Sequence, residues 1–122
     1  MSDTSPVLAL PYIKPSQAQK HVTHNEALRV LDALVQLSVL RADLATPPAT
    51  PAPGARYLVA GTATGAWEGM ETHVAIWDEA WIFHAPRPGW CAYVEETGRF
   101  VVWDGAAWRD PSDSFETLDR LG

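Results

Sequence analysis

The sequence predicts an α+β fold: a long N-terminal helix packed on a small antiparallel β-meander or half-open barrel, with an extended N-terminal arm and a proline-rich spacer. Three observations predict it. A capped run of aliphatic residues fills the first third of the chain, a proline cluster follows, and short β-branched and aromatic runs then alternate with turn signals. Tyr12 is the only aromatic residue before position 54; the other eleven lie beyond it. With 122 residues, 47% of them hydrophobic and 20% charged, the chain has material for one modest domain.

Residues 1–15 read as the arm. Pro6, Pro11 and Pro15 deny it regular pairing, yet "VLALPYI" is too apolar to stay in water. Val7, Leu8, Leu10, Tyr12 and Ile13 are therefore expected to dock on a neighbouring protein. The stretch is too short and too proline-broken for a signal peptide or a membrane span, so folding in a cytosol and no membrane partner are expected.

Residues 16–44 read as a helical oligomerisation segment. Ser16 with Gln19 gives a weak start signal, and Thr23 with Glu26 forms a capping box, so the main helix is predicted from about His24 to Leu40. On a helical wheel Asn25, Arg29, Asp32 and Gln36 make one narrow polar stripe. The remaining arc is apolar and far wider than the roughly 100° that a surface helix uses to cover one core. Such a helix needs cover on two sides. It either sinks into a single small core or meets a sibling subunit through Leu28, Val30, Leu34, Leu37 and Leu40. So short a chain has little material to wrap a helix completely, which favours the sibling.

Residues 45–54, "ATPPATPAPG", favour polyproline II and exclude helix, as a spacer or wrapping segment. Residues 55–110 form a Trp-rich antiparallel β domain. "ARYLVA" is a strand and "GTATGAWEGM" a loop. "HVAIW" and "WIFHA" flank a hairpin turn at Asp78-Glu79-Ala80. "WCAYVE" and "RFVVW" flank a second, with Gly98 placed for a positive φ, and Asp104-Gly105 marks a third turn. Residues 111–122 leave the sheet at Pro111 as a tail or a short helix, which Asp113 or Ser114 can cap.

Residues 74–81, "VAIWDEAW", and 101–108, "VVWDGAAW", state one motif twice. The bland reading of the tryptophans is core: Trp77 and Trp103 sit in strand register, and cross-strand aromatic pairs stabilise a short sheet. The alternative is sugar. Trp67, Trp81, Trp90 and Trp108 lie at loop or turn edges beside Glu68, Asp78, Glu79 and Asp104, the ingredients of a pyranose-stacking surface or of a contact with a neighbouring subunit.

Charge excludes one class. Residues 1–53 sum to zero, and the rest hold five arginines against eleven carboxylates, the whole net charge of −6. A nucleic-acid binder profits from the opposite sign. A single cysteine, Cys91, excludes an intrachain disulfide. His21 and His24 have metal-sharing helical spacing but no third ligand nearby, and His73, His84 and Cys91 are isolated, so no metal or other cofactor is expected. Glu95-Glu96 and Asp78-Glu79 are neighbours that point to opposite faces of a strand, unlike a glycosidase pair. No nucleophile elbow, phosphate loop or Cys-His-Asp set is present, so enzyme is the least favoured class.

"LPYIKPSQAQKHVTHNEALRVLDALVQL", "PAPGARYLVAGTATGAWEGM", "AIWDEAWIFHAPRPGWCAYV" and "VVWDGAAW" together resemble an uncharacterised domain family of bacterial prophages and gene transfer agents, phage-like particles encoded by bacterial genomes. The resemblance covers about residues 9–109, and "QAQKHVTHNEALRVLD" is its specific block. It implies a non-enzymatic virion component near the N-terminus of particle fibres and spikes. This chain stops soon after its last Trp unit, which suits the base of a head spike or an adaptor, with a side tail-fibre component as the alternative. The partners implied are itself as a cyclic homo-oligomer (trimer or pentamer), capsid or tail proteins and the spike fibre, in a particle assembled in the bacterial cytoplasm. The competing expectation is a carbohydrate-binding module on host cell-surface polysaccharide.

Overall fold

The computed structural model describes residues 3–12 and 20–111. The elements are helix α1 (Lys20–Leu34) and strands β1 (Ser38–Val39), β2 (Arg56–Leu58), β3 (Val74–Trp77), β4 (Trp81–His84), β5 (Cys91–Val94), β6 (Arg99–Trp103) and β7 (Trp108–Arg109). A 3-10 turn spans Gly65–Trp67. The strands form two sheets, ordered β1-β5-β6-β7 and β2-β3-β4. Among the described residues the fold is thus mostly β with one short helix. This overturns the expected long helix on a single meander or half-open barrel.

The physical reason lies at residues 35–41. The helix closes with the Val35 amide on the Leu31 carbonyl at 2.8 Å, and Gln36 then takes a φ of 50°, a left-handed stop. Leu37 and Val39 are worth more in the core than in a further helical turn. They form one buried cluster with Leu58, Val74, Ala92 and Val94. Ser38 and Val39 pair in parallel with Tyr93 and Val94. The next two residues change partners: the Leu40 amide donates to Arg56 and the Leu58 amide to Arg41, and Arg41 bridges Tyr57 in parallel. One four-residue stretch therefore belongs to both sheets. The helix also starts earlier than the capping box suggested, with Thr23 already inside it.

The hairpins lie where their turn signals fall. β3 and β4 pair Val74 with His84 through Trp77 with Trp81, and β5 and β6 pair Cys91 with Val102 through Val94 with Arg99. Gly98 has the expected positive φ, 68°. At the third turn, Asp104 Oδ1 accepts the amides of Ala106 (2.7 Å) and Ala107 (2.8 Å), and Arg109 Nε donates to its other oxygen. These donors, the Ala107 and Ala106 amides first and then Arg109, pull the Asp104 carboxyl from the ordinary 3.8 to about 2. A depressed carboxyl stabilises the fold above its unfolded value and loses that contribution as pH falls toward 2. A carbon-detected NMR titration should give Asp104 a midpoint near 2, with the Ala106 and Ala107 amides shifting alongside. A midpoint near 4 would mean the turn does not hold the carboxylate.

The proline-rich segment wraps and does not merely space. The Ala60 amide donates to Leu44, the Thr64 amide to Ala45, and the Thr46 and Thr64 hydroxyls lie 2.7 Å apart. Leu44 thereby joins a second buried cluster of Ala55, Tyr57, Val59, Ala63, Trp67 and Ala75. Gly54 ends the wrap at φ 82°, and a Cβ there would stand 3.0 Å from the Pro6 carbonyl oxygen. Gly54→Ala combines a left-handed φ with a backbone collision, and should lower stability by about 1–3 kcal/mol in a denaturant titration.

Candidate functional site

Helix α1 is mounted inside out. Three of the four residues of the polar stripe face the protein, Asp32 being 1% exposed and Asn25 and Arg29 half-buried, whereas Gln36 is exposed beyond the helix end; Ala33 is fully covered. Its apolar residues face solvent, with Val30 42%, Leu31 52% and Val35 44% exposed. Arg29 reaches Glu26 at 3.2 Å and Asp78 at 3.6 Å, and its guanidinium stands 5.8 Å over the Tyr12 ring. Arg56 Nη1 donates to the Ala33 carbonyl at 2.9 Å and so satisfies one of the helix's free C-terminal acceptors. A small cleft of about 40 Å³ remains between Arg29, Asp78, Ile82 and His84. Burial lowers the pKa of His84 below its ordinary value.

Asp32 explains the inversion. Its carboxylate accepts the Ser5 hydroxyl at 2.6 Å, the Val7 amide at 2.9 Å and the Leu8 amide at 2.5 Å. Ser5 Oγ in turn accepts the Leu10 amide, and Thr4 bridges Pro11. The arm is therefore not extended along residues 3–12. It closes into a loop on its own helix, because a buried carboxylate needs donors and an irregular proline-rich backbone has spare amides. Val7, Leu10 and Tyr12 are half-buried and Leu8 is exposed, whereas Ile13 lies outside the described residues.

Of the five residues assigned to an oligomer interface, Val30 and Leu40 are exposed and Leu28 and Leu34 half-buried. Leu37 is buried within the chain's own core, and Leu37 and Leu40 fall beyond the helix. Where the helix ends, Leu34, Leu37, Trp90 and Cys91 line a groove of about 180 Å³. The expected short turn at Ser16–Gln19 and the expected tail helix of residues 112–122 lie outside the described residues.

The tryptophans divide differently from the edge-and-core expectation. Trp67, assigned to a sugar or subunit contact, has no exposed surface; it packs against Tyr57 at 5.6 Å and Trp81 at 5.2 Å between ring centroids. The 3-10 turn that carries it folds over the sheet, which sequence position alone does not reveal. Trp81 is half-buried and also meets Trp77 at 5.2 Å. Trp108 is half-buried, packs at a tilt against Trp103 and donates its indole N–H to the Thr72 carbonyl at 2.9 Å, tying one sheet to a loop of the other. Trp90 is half-buried at the groove. Trp103 is buried as expected, but Trp77 is only half-buried.

His24 is exposed, and among the described residues no three His, Cys, Asp or Glu side chains group into a cation site. No described helix is long and apolar enough to cross a membrane. Cys91 is a free, exposed thiol at the groove's edge. Sequence reasoning missed two features. The buried Asp32 carboxylate was missed because a polar stripe is ordinarily the solvated one, and the groove because it needs the helix to stop at Leu34.

No curated protein matches the chain. A family model does, over residues 24–109, a span that holds most of α1, both sheets and the groove but leaves out the described arm. The chain belongs to the DUF2793 family, described as a protein of unknown function.

Proposed function

We propose that this chain is a structural subunit of a phage-like particle, a base or adaptor that joins a capsid or tail to a spike or fibre and acts without catalysis. The observation that carries the reading is the inverted helix. A domain that buries a carboxylate on the inner face of its helix, with an arginine and an asparagine half-buried beside it, and leaves a row of aliphatic residues outside, is shaped to be finished by another protein. The "QAQKHVTHNEALRVLD" block, with its likeness to prophage and gene-transfer-agent proteins, supplies the setting. On this reading the partners are further copies of the chain, a capsid or tail protein and a spike or fibre, and the site of assembly is the bacterial cytoplasm. A head-spike base is the specific assignment, and a side tail-fibre component the alternative.

The experiment is particle purification. The chain should co-sediment with particles at a fixed stoichiometry, and particles from cells lacking it should miss a spike or fibre. Unchanged particles, with the chain left in the soluble fraction, would overturn the proposal. The competing carbohydrate reading retains Trp81 and Trp90, both half-buried, as stacking candidates, while Trp67 is fully covered and Trp108 is bonded to Thr72. Specific binding on a glycan array, lost in Trp81→Ala or Trp90→Ala with the fold intact, would favour it.

A further inference from the structure

We propose that His84 is the release of the N-terminal arm: when its ring takes up a proton, residues 3–12 come away from Asp32. Strand β4 alternates its side chains. Trp81 and Phe83 pack on the Trp67 side of the sheet, so Ile82 and His84 point to the opposite face, toward α1. His84 pairs in register with the buried Val74 and is itself half-buried. In the cleft of about 40 Å³ it meets Pro6 of the arm, Arg29 and Asp32 of α1, and Asp78 just past β3. That space is far too small for an organic ligand. Among the described residues no three side chains group to hold a cation either, so a proton is the ligand this site can take.

The cleft has no spare acceptor for a charged ring. Among the described side chains, α1 contributes Glu26, Arg29 and Asp32, and the β3-β4 turn contributes Asp78. Arg56 shares the sheet face, in register with Ile76, and the arm's own ionisable groups are Asp3 and Tyr12. Each carboxylate of the cleft already has donors: Asp32 has those of the arm, and Asp78 and Glu26 share the Arg29 guanidinium. Burial holds the His84 pKa below its ordinary 6.5, so the closed cleft resists the proton. A protonated ring must reach water or take Asp32 or Asp78 from its donors, and either route opens the cleft. The arm is the wall that gives. Helix α1 is fastened to β2 by the Arg56 bond to the Ala33 carbonyl, and β4 to β3 along the ladder from Val74–His84 to Trp77–Trp81. The described backbone bonds of the arm, Ser5 to Leu10 and Tyr12 to Asp3, close it on itself, so it can leave as a unit. The sign follows from the depressed base: the closed arm is undisturbed well above pH 6.5 and is disfavoured increasingly as pH falls below it.

The test is NMR on the full chain in solution. The His84 ring should titrate with a midpoint below 6.5. From about pH 7.5 to about pH 5, hydrogen-exchange protection of the Val7 and Leu8 amides, corrected for the intrinsic rate, should fall about threefold to thirtyfold. The upper figure is the limit for an imidazole of ordinary pKa 6.5 that takes no proton while the arm is closed. Their exchange should not respond to low concentrations of urea, because releasing the arm exposes little surface. The Tyr93 amide, bonded to the Leu37 carbonyl in the core, should be better protected at every pH and should respond to urea. His84→Gln, neutral throughout, should remove the pH dependence at Val7 and Leu8, and His84→Leu serves if the glutamine variant fails to fold. His73→Gln, at another half-buried histidine, should keep it. A His84 midpoint at 6.5 or above, Val7 and Leu8 protection that does not change with pH, exchange there that matches Tyr93 in size and urea response, or a pH dependence that survives at His84 variants would each overturn the proposal. The particle reading is decided separately, by co-sedimentation.

Discussion

Asp32→Ala is expected to lower the stability of the folded chain by about 3 kcal/mol or more. The substitution leaves the buried Ser5 hydroxyl and the part-buried Val7 and Leu8 amides without their acceptor, and an orphaned donor costs up to about 1–3 kcal/mol when buried. A domain of this size has a total on the order of 5–15 kcal/mol. Urea denaturation followed by tryptophan fluorescence measures the loss. Asp32→Asn should cost less, because one oxygen still accepts. Deleting residues 1–12 should also destabilise the fold, since it removes the three donors of Asp32 and the segment that lies over it. The docking-arm expectation makes the opposite forecast, that truncation leaves the fold unchanged. An Asp32→Ala midpoint within error of the wild type would show that the latch is not closed in solution.

Trp67→Ala should be comparably severe, about 3–5 kcal/mol. The indole has no exposed surface and is the largest side chain so placed. It fills the space between Tyr57 and Trp81 under the loop that runs from the proline-rich segment. Without it the sheet β2-β3-β4 loses its cover on one face, and the rings of Tyr57 and Trp81 collapse or admit water. Thermal unfolding by near-ultraviolet circular dichroism, which reads the packed aromatic cluster, is the measurement. Trp67→Phe should recover part of the loss. An alanine variant as stable as wild type would mean that the loop does not pack as described.

The turns were legible because their chemistry is local. Gly98, Asp104-Gly105 and the Trp-Asp pairs specify hairpins by what a backbone of those residues can do, and the strands on either side follow. The end of the helix was not legible. Between Leu34 and Leu40 there is no glycine or proline, and "VQLSVL" continues a helical pattern as readily as it makes a strand. What decides is the place waiting for Leu37 and Val39 between the sheets, a tertiary fact that overrides propensity. The orientation of α1 was misread for a related reason. A wheel gives the angle between polar and apolar residues, not which arc faces inward, and the usual assumption fails when a carboxylate finds donors in a distant loop. Trp67 shows the same limit. A Trp in a glycine-rich loop reads as exposed until the loop is seen to fold back.

The stretch from Ser38 to Arg41 also sets an order of events in time. Ser38 and its partner Glu95 stand 57 positions apart. At a synthesis rate of about 5–20 residues per second, β1 leaves the ribosome roughly three to eleven seconds before the strand it pairs with. Until then Leu37 and Val39 have only part of their cover. The sheet β1-β5-β6-β7 cannot form before β5 arrives, so it is expected to lock in a late, slow step, after β2-β3-β4. A nascent chain truncated before Cys91 should therefore be a strong client for a chaperone that holds apolar segments, and one extended past Trp103 a weak one.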